Sequence, residues 1–500
     1  MRRIRQAVAL LTVVLIAHGT AQAVDPKPTT LFVDACRTNS WDLRTSEVAM
    51  IDLQTTDYLH EELFIPIKDP AYPIGAKAGG TVTSTLPAHV NKVIFVGAGS
   101  QLAVHKVQNT TQGNGLPAPD IVAPDSTHDL ATMAGISGLQ ISSMAAGNFR
   151  PAQQSPGVMY AQAQASLYVT GTVDSDSDGI ADEAYYIILD QQYLIEGVAS
   201  NGTHLYAVNQ ICAAAGVCHI TDVLDIEIGP HAVAGQMEEG FISAIHNYGT
   251  PAAPFNIQIA YRLERGLSET AHTLTPVLGD LWASPTVVGT QRAGIGASPT
   301  GGKFYGPTKS IKTIRNLADN TDSCALPGEP IDVAVWEPGI SSAESRYLVA
   351  VSMNGSQPRL DIMESTSCLS GGGSSVISIP LVGNGAPQAM DLAVIDDDEI
   401  WVAVTSHTTA ADAAWEMVRI QISSNGGVDS FSFHDQYSYA TMFDPLTDSC
   451  PTDVHIFDRA SWTEMPWYST PGCKFPNNCG PVLLQCAPSD PRCLPPTTRP

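Results

Sequence analysis

Positive charge is what this sequence has least of. Lysine and arginine total 25 against 50 aspartates and glutamates, a formal net charge of −25, and charged residues make up only 15% of the chain. A surface of that sign repels phosphate backbones, so nucleic acid is excluded as a partner and divalent cations are favoured. Long apolar runs are missing as well. Beyond residue 23 nothing reaches the roughly 18 apolar residues that a membrane helix needs, which excludes a transmembrane segment in the mature chain. Sustained helical periodicity is absent. So are a G-x-S-x-G nucleophile elbow, an H-E-x-x-H zinc helix, a C-x-x-C-H haem attachment, a phosphate-cradling glycine loop and the C-x-x-C spacing of a zinc knuckle.

What is present begins with MRRIRQAVALLTVVLIAHGTAQA: three arginines, an apolar run from Ala7 to Ala17, then small residues ending in Ala21-Gln22-Ala23. This is the pattern of a secretory signal peptide (residues 1–23) cleaved near Ala23. The mature protein is therefore expected outside the cytoplasm, periplasmic or extracellular. Its loss removes Arg2, Arg3 and Arg5 and no acid, leaving the chain more acidic still. Export makes disulfides permissible for the ten cysteines. Cys212 and Cys218, in ICAAAGVCH, form the best local pair. Cys450, Cys473, Cys479, Cys486 and Cys493 crowd the C-terminus, and the connectivity is open.

The middle of the chain repeats one theme: a short apolar strand, a turn rich in Asp, Asn or Gly, and a second strand. Examples are NKVIFVGAGSQLAVHKV from Asn91, ASLYVTGTV with AYYIILD, EGVASNGTHLYAVN from Glu196, GPHAVAGQMEEGFISAIHN from Gly229, IDVAVWEPGISSAESRYLVAVS from Ile331 and MDLAVIDDDEIWVAVTS from Met390. Recurrence at intervals of roughly 35 to 60 residues predicts an all-β chain folded as a β-propeller over residues 24–461. Seven blades are expected, with eight also compatible. Gly266 to Asn320, rich in Gly, Thr, Ser and Pro, reads as a long excursion between blades. Residues 462–500, dense in proline and cysteine, read as a disulfide-stapled tail on the propeller rim. Its Trp462, Trp467 and Tyr468 read as cover for a blade edge in preference to a sugar-binding face.

The densest acidic stretch is VDSDSDGIADE, from Val173. Numbered from Asp174, the side chains at positions one, three, five and nine are Asp174, Asp176, Asp178 and Asp182; Gly179 takes position six and Ile180 offers its carbonyl at seven. A tight loop with this spacing turns successive oxygens inward around Ca2+, the glycine allowing the bend. Glu183 or water would complete the shell. Position twelve is Tyr185 where an EF-hand has glutamate, and both flanks read as strands, so the loop is a hairpin turn. The plainer alternative is a solvated acidic turn without a metal. Asp396, Asp397 and Asp398 are consecutive and lack a glycine, so they read as a solvated turn.

Two resemblances rest on these residues. IEIGPHAVAGQMEEGFISAIHN resembles one blade of the secreted bacterial propellers with YVTN-type repeats; EGVASNGTHLYAVN, PQAMDLAVIDDDEIWVAVTS and WDLRTSEVAMIDLQTT are similar in outline, together about a quarter of the chain. The pattern D-x-D-x-D-G-x-x-D between two strands resembles the calcium-binding turns in the propellers of PilY1-type pilus-tip adhesins. The resemblances imply an exported binding or scaffold protein with a structural Ca2+ and a protein or carbohydrate ligand. The rival reading is a propeller enzyme of the lactonase or lyase type, with its site at the central channel. His231, in the inner strand implied by GPHAVAG, is the candidate acid/base for it, with His246, Glu238 and Glu239 on the same blade. The Pro-His pair occurs once, so a ring of metal-binding histidines is not expected.

Overall fold

A computed structural model describes residues 30–38, 44–52, 62–67, 74–83, 90–111, 117–120, 126–147, 166–177, 181–199, 202–211, 220–230, 238–247, 256–265, 272–284, 294–297, 303–308, 312–317, 323–336, 347–364, 377–383, 385–396, 399–406, 414–425, 428–439, 448–449 and 454–457. Among them no helix is long and apolar enough to cross a membrane. The strands form seven antiparallel sheets.

The first sheet draws on both ends of the chain. β1 (Thr30–Thr38), β2 (Arg44–Asp52) and β3 (Glu62–Ile67) form its outer part, and β29 (Asp448–Ser449) and β30 (Val454–Phe457) pair antiparallel with β1 as its innermost strands. Blade 2 runs β4 (Ile74–Thr83), β5 (Val90–Ala98), β6 (Gln101–Thr111), with β7 (Pro117–Asp120) and β8 (Ser126–Asp129) both on β6. Blade 3 is β9 (Gln140–Gly147), β10 (Ser166–Val173), β11 (Glu183–Asp190) and β12 (Leu205–Gln210). Blade 4 is β13 (Ile220–Pro230), β14 (Glu238–Asn247), β15 (Asn256–Arg265) and β16 (His272–Ser284). Blade 5 is β17 (Gly296–Ala297), β18 (Phe304–Thr308), β19 (Thr313–Asn316) and β20 (Ser323–Ala325). Blade 6 is β21 (Glu329–Trp336), β22 (Tyr347–Asn354), β23 (Gln357–Glu364) and β24 (Ile377–Pro380). Blade 7 is β25 (Pro387–Asp396), β26 (Glu399–Ser406), β27 (Ala414–Asn425) and β28 (Val428–Tyr439).

Each first strand neighbours the first strand of the next blade: β4 touches β9, β9 touches β13, and so on through β17, β21 and β25 to β30, which returns to β4. That order is a closed ring, a β-propeller, and closure leaves no sheet of the ring without a neighbour to pack on. The apolar core accordingly lies between consecutive blades. Leu167, Val169, Ile187 and Leu189 of blade 3 pack on Phe95, Leu102 and Val104 of blade 2, while Ile188 and Tyr186 meet Ile226, Ile242 and Ala244 of blade 4. Strands in the middle of a blade are buried on both faces, so β26, EIWVAVTS, reads as a nearly continuous apolar run.

Four of the expected hairpins form as read: β5–β6, β10–β11, β21–β22 and β25–β26. Three expectations are corrected. Gly266 to Asn320 is no excursion, because it holds β16 and three strands of blade 5. Those blade strands are two to five residues long and rich in Gly, Thr and Pro, too short to show alternation. Among its described residues EGVASNGTHLYAVN is not two strands: Glu196 closes a helical turn, Gln191–Glu196, and Leu205–Gln210 is the one strand. The inner strand of blade 4 is ITDVLDIEIGP, upstream of the expected PHAVAG, and it ends at Pro230. Residues 1–23 and 462–500 lie outside the described residues.

Candidate metal site and channel carboxylates

The acidic loop closes the hairpin between the second and third strands of blade 3. Gly171 lets β10 approach β9 at a bulge between Thr170 and Gly171: a Cβ there would lie 2.6 Å from the Gln140 carbonyl oxygen and 2.7 Å from Leu139 Cδ1. Ladder pairing ends at Val173 opposite Glu183, and the Asp182 N–H donates to the Val173 carbonyl at 2.8 Å. Inside the loop Ser177 sits at φ 63°, its N–H donating to Asp174 Oδ1 at 2.7 Å. Ser175 donates to Asp182 Oδ2 from its N–H (2.8 Å) and from its hydroxyl (2.5 Å). The Ser175 hydroxyl, then its N–H, hold the exposed Asp182 carboxyl below its ordinary value.

These bonds gather the carboxylates. One oxygen from each of Asp174, Asp176 and Asp182 lies within 4.8 Å of the others, a donor set of hard oxygens suited to Ca2+. Glu183 is placed differently. Its Oε2 accepts the Tyr185 hydroxyl two residues along β11, so its carboxylate is turned along the strand and stands apart from the cluster. Burial, with the bond to and charge of Glu183, pushes the Tyr185 hydroxyl up to about 12. Asp178, Gly179 and Ile180 lie outside the described residues, as does His231.

The other acids and histidine of blade 4 are not brought together. Glu239 is buried and accepts from Arg262 through Nε (2.6 Å) and Nη2 (2.5 Å). His246 is buried with its Nε2 2.6 Å from the Tyr261 hydroxyl. Seven residues of extended strand separate the two, about 23 Å at the usual rise per residue. Glu239 is engaged by Arg262 and His246 by Tyr261, each through one atom and within its own sheet. Cys324 is buried and disulfide-bonded; Cys212 and Cys218 lie outside the described residues.

A second set of carboxylates surrounds the channel, and sequence reasoning missed it. The triplets Leu224-Asp225-Ile226, Ile331-Asp332-Val333 and Met390-Asp391-Leu392 lie on the inner strands of blades 4, 6 and 7. In each, aspartate Oδ1 accepts the N–H of the next residue, at 2.8, 2.7 and 2.8 Å. The second oxygen reaches the following blade: Asp225 Oδ2 accepts the Ile295 N–H at 2.7 Å and Asp332 Oδ2 accepts the Met390 N–H at 2.9 Å. Ser143 of β9 makes the corresponding link backwards, its hydroxyl donating to Asp225 Oδ1 at 2.9 Å. Between blades 5 and 6 the backbones of the inner strands approach closely: the Gly294 N–H donates to the Ile331 carbonyl at 3.1 Å, and a Cβ on Gly296 would lie 2.7 Å from the Val333 carbonyl oxygen. The recurring apolar-Asp-apolar triplet was the available signal. Glu227, two residues after Asp225 on the same face of β13, takes part in none of these latches. Burial, then the charges of Asp225, Asp391 and Asp332, hold its carboxyl well above its ordinary value.

No family model matches the sequence, and none of the curated proteins matches it. Among solved structures, the chain is similar to one titled "Structure of Dos1 propeller" at 10% identity, over 74% of each chain, with a TM-score of 0.39. It is similar to "Streptogramin B lyase structure" at 8% identity, over 76% of this chain and 98% of that one, with a TM-score of 0.30. The propeller assignment rests on the sheet order and ring closure, not on likenesses of this size.

Proposed function

We propose that this is an exported, calcium-binding propeller that serves as a binding or scaffold protein at the cell surface or outside the cell, with a protein or carbohydrate ligand. The observation that carries the reading is the convergence of Asp174, Asp176 and Asp182 at the tip of a blade hairpin. Three like charges at that spacing repel one another, and a hard dication removes the conflict. Asp178 and the Ile180 carbonyl would supply further oxygens, and Glu183 keeps Oε1 while its Oε2 accepts the Tyr185 hydroxyl. The D-x-D-x-D-G-x-x-D pattern, shared with the pilus-tip adhesin propellers, the YVTN-like segments and the signal-peptide pattern of residues 1–23 support the same reading. The ion's role is to hold the hairpin rigid, so that recognition by the loops beside it depends on calcium.

The test is thermal unfolding of residues 24–500 in chelator, then with calcium or magnesium titrated back. Binding to the folded state alone adds about 2.7 kcal/mol at a hundredfold excess over Kd. A calcium-selective rise in Tm is expected for the wild type and none for Asp176→Ala. Equal melting of the wild type with and without calcium sinks the reading.

A further inference from the structure

Blade 5 is built from strands of two to five residues, and its outermost strand, β20, is tied to β19 over three residue pairs. So short a ladder supplies few hydrogen bonds to hold a strand at the edge of a sheet. The middle residue of β20, Cys324, is 2% exposed and disulfide-bonded, a bond that the calcium reading does not use. Cys324 belongs to one buried cluster with Ile314 of blade 5 and with Val335, Leu348, Ala350 and Met363 of blade 6. It therefore stands at the junction of these two blades.

Where the other cysteines enter the ring decides which of them can reach that junction. Cys36 is on β1 of the first sheet, and Cys450 directly follows Ser449, the register partner of Cys36. Cys212 directly follows Ile211, which packs in the core shared by blades 3 and 4, and Cys218 comes two residues before β13 of blade 4. Cys473, Cys479, Cys486 and Cys493 all follow β30, which returns the chain to the first sheet. Cys368 is different. It comes five residues after Met363, a member of the Cys324 cluster at the end of β23. Five residues span at most about 18 Å, and a disulfide needs Cα atoms about 4.4–6.8 Å apart, so Cys368 is tethered within reach of β20.

We propose that the partner of Cys324 is Cys368, which lies outside the described residues, and that their bond staples the outer strand of blade 5 to the segment following β23 of blade 6. Forming it joins the two sulfurs and takes one hydrogen from each thiol. Those two protons and two electrons pass to the disulfide of an oxidised dithiol carrier, which leaves as the dithiol. The closed loop holds β21, β22 and β23, so the bond restricts the unfolded chain across most of blade 6 and secures a strand whose own ladder is short.

The experiment maps the full chain, produced by export, with free thiols alkylated in denaturant before tryptic digestion without reductant. Cleavage after Arg315, Arg346, Arg359 and Arg419 leaves Cys324 as the one cysteine of fragment 316–346 and Cys368 as the one cysteine of fragment 360–419. The expected product is the two fragments joined, two hydrogens lighter than their sum and separated by reduction. Fragment 316–346 joined to any other cysteine fragment, or an alkylated Cys368, overturns the proposal. Hydrogen exchange of Cys368→Ser then tests the staple: without reductant, peptides covering β20 should lose protection while those of β10 and β11 keep theirs. Unchanged protection of β20 in that variant overturns its role in holding the strand.

Discussion

Trp336→Ala is expected to destabilise the protein by about 3–5 kcal/mol, the usual range for removing a large buried aromatic. Trp336 is fully buried at the end of β21, within the core shared by blades 6 and 7. Its ring lies 5.8 Å from Tyr347 and 6.1 Å from Phe431, and Tyr347 meets Phe431 edge-on at 4.9 Å. Deleting the indole removes a partner from both of the others and leaves a cavity that two flanking sheets cannot close. Trp336→Phe should cost much less, because the ring stack survives and the indole N–H has no hydrogen-bond partner among the described residues. Urea unfolding of the two variants checks the order; comparable losses would show that the aromatic contacts do not carry the stability.

The second large effect is expected at Gly294. An alanine Cβ would sit 1.7 Å from Asp332 Oδ1 and 2.3 Å from its Cγ. The carboxylate must swing away, giving up its bonds to the Val333 and Met390 N–H groups. Overpacking costs about 1–3 kcal/mol, and each lost hydrogen bond to a charged group adds about 1.5–3. Asp332→Ala should also be costly, since it orphans the same two N–H groups. The double variant, however, has no carboxylate left to clash with, so its loss should fall short of the sum by about 0.5–3 kcal/mol, the range for residues in direct contact. Strict additivity in a double-mutant cycle would show that the glycine is not required by the aspartate.

The parts of this fold that could be read in advance were those with local patterns. β21–β22 and β25–β26 announce themselves through apolar runs separated by polar turns, and the aspartate spacing from Asp174 to Asp182 does place three of its carboxylates together. Blade 5 could not be read, because β17 and β20 have two and three residues and their burial comes from neighbouring blades. The channel aspartates were passed over for a related reason. A single acid between two apolar residues looks like an ordinary solvated position, and only the packing of successive blades supplies the second N–H that gives Asp332 its role. Glu183 shows what spacing leaves out: its Oε2 accepts the Tyr185 hydroxyl two residues on, a contact the motif does not encode.

The pairing of β30 with β1 has a consequence for the order in which the molecule is made. The hydrogen-bonding edge of β1 is complete only when Asp448–Ser449 and Val454–Phe457 are in place. At roughly 5–20 residues per second, a ribosome needs about 20–80 s between synthesising β3 and synthesising the strand that caps that edge. For that interval the N-terminal sheet is a nascent template open to any extended segment. A chain cut short before residue 448 would keep that edge for good and be prone to edge-to-edge association.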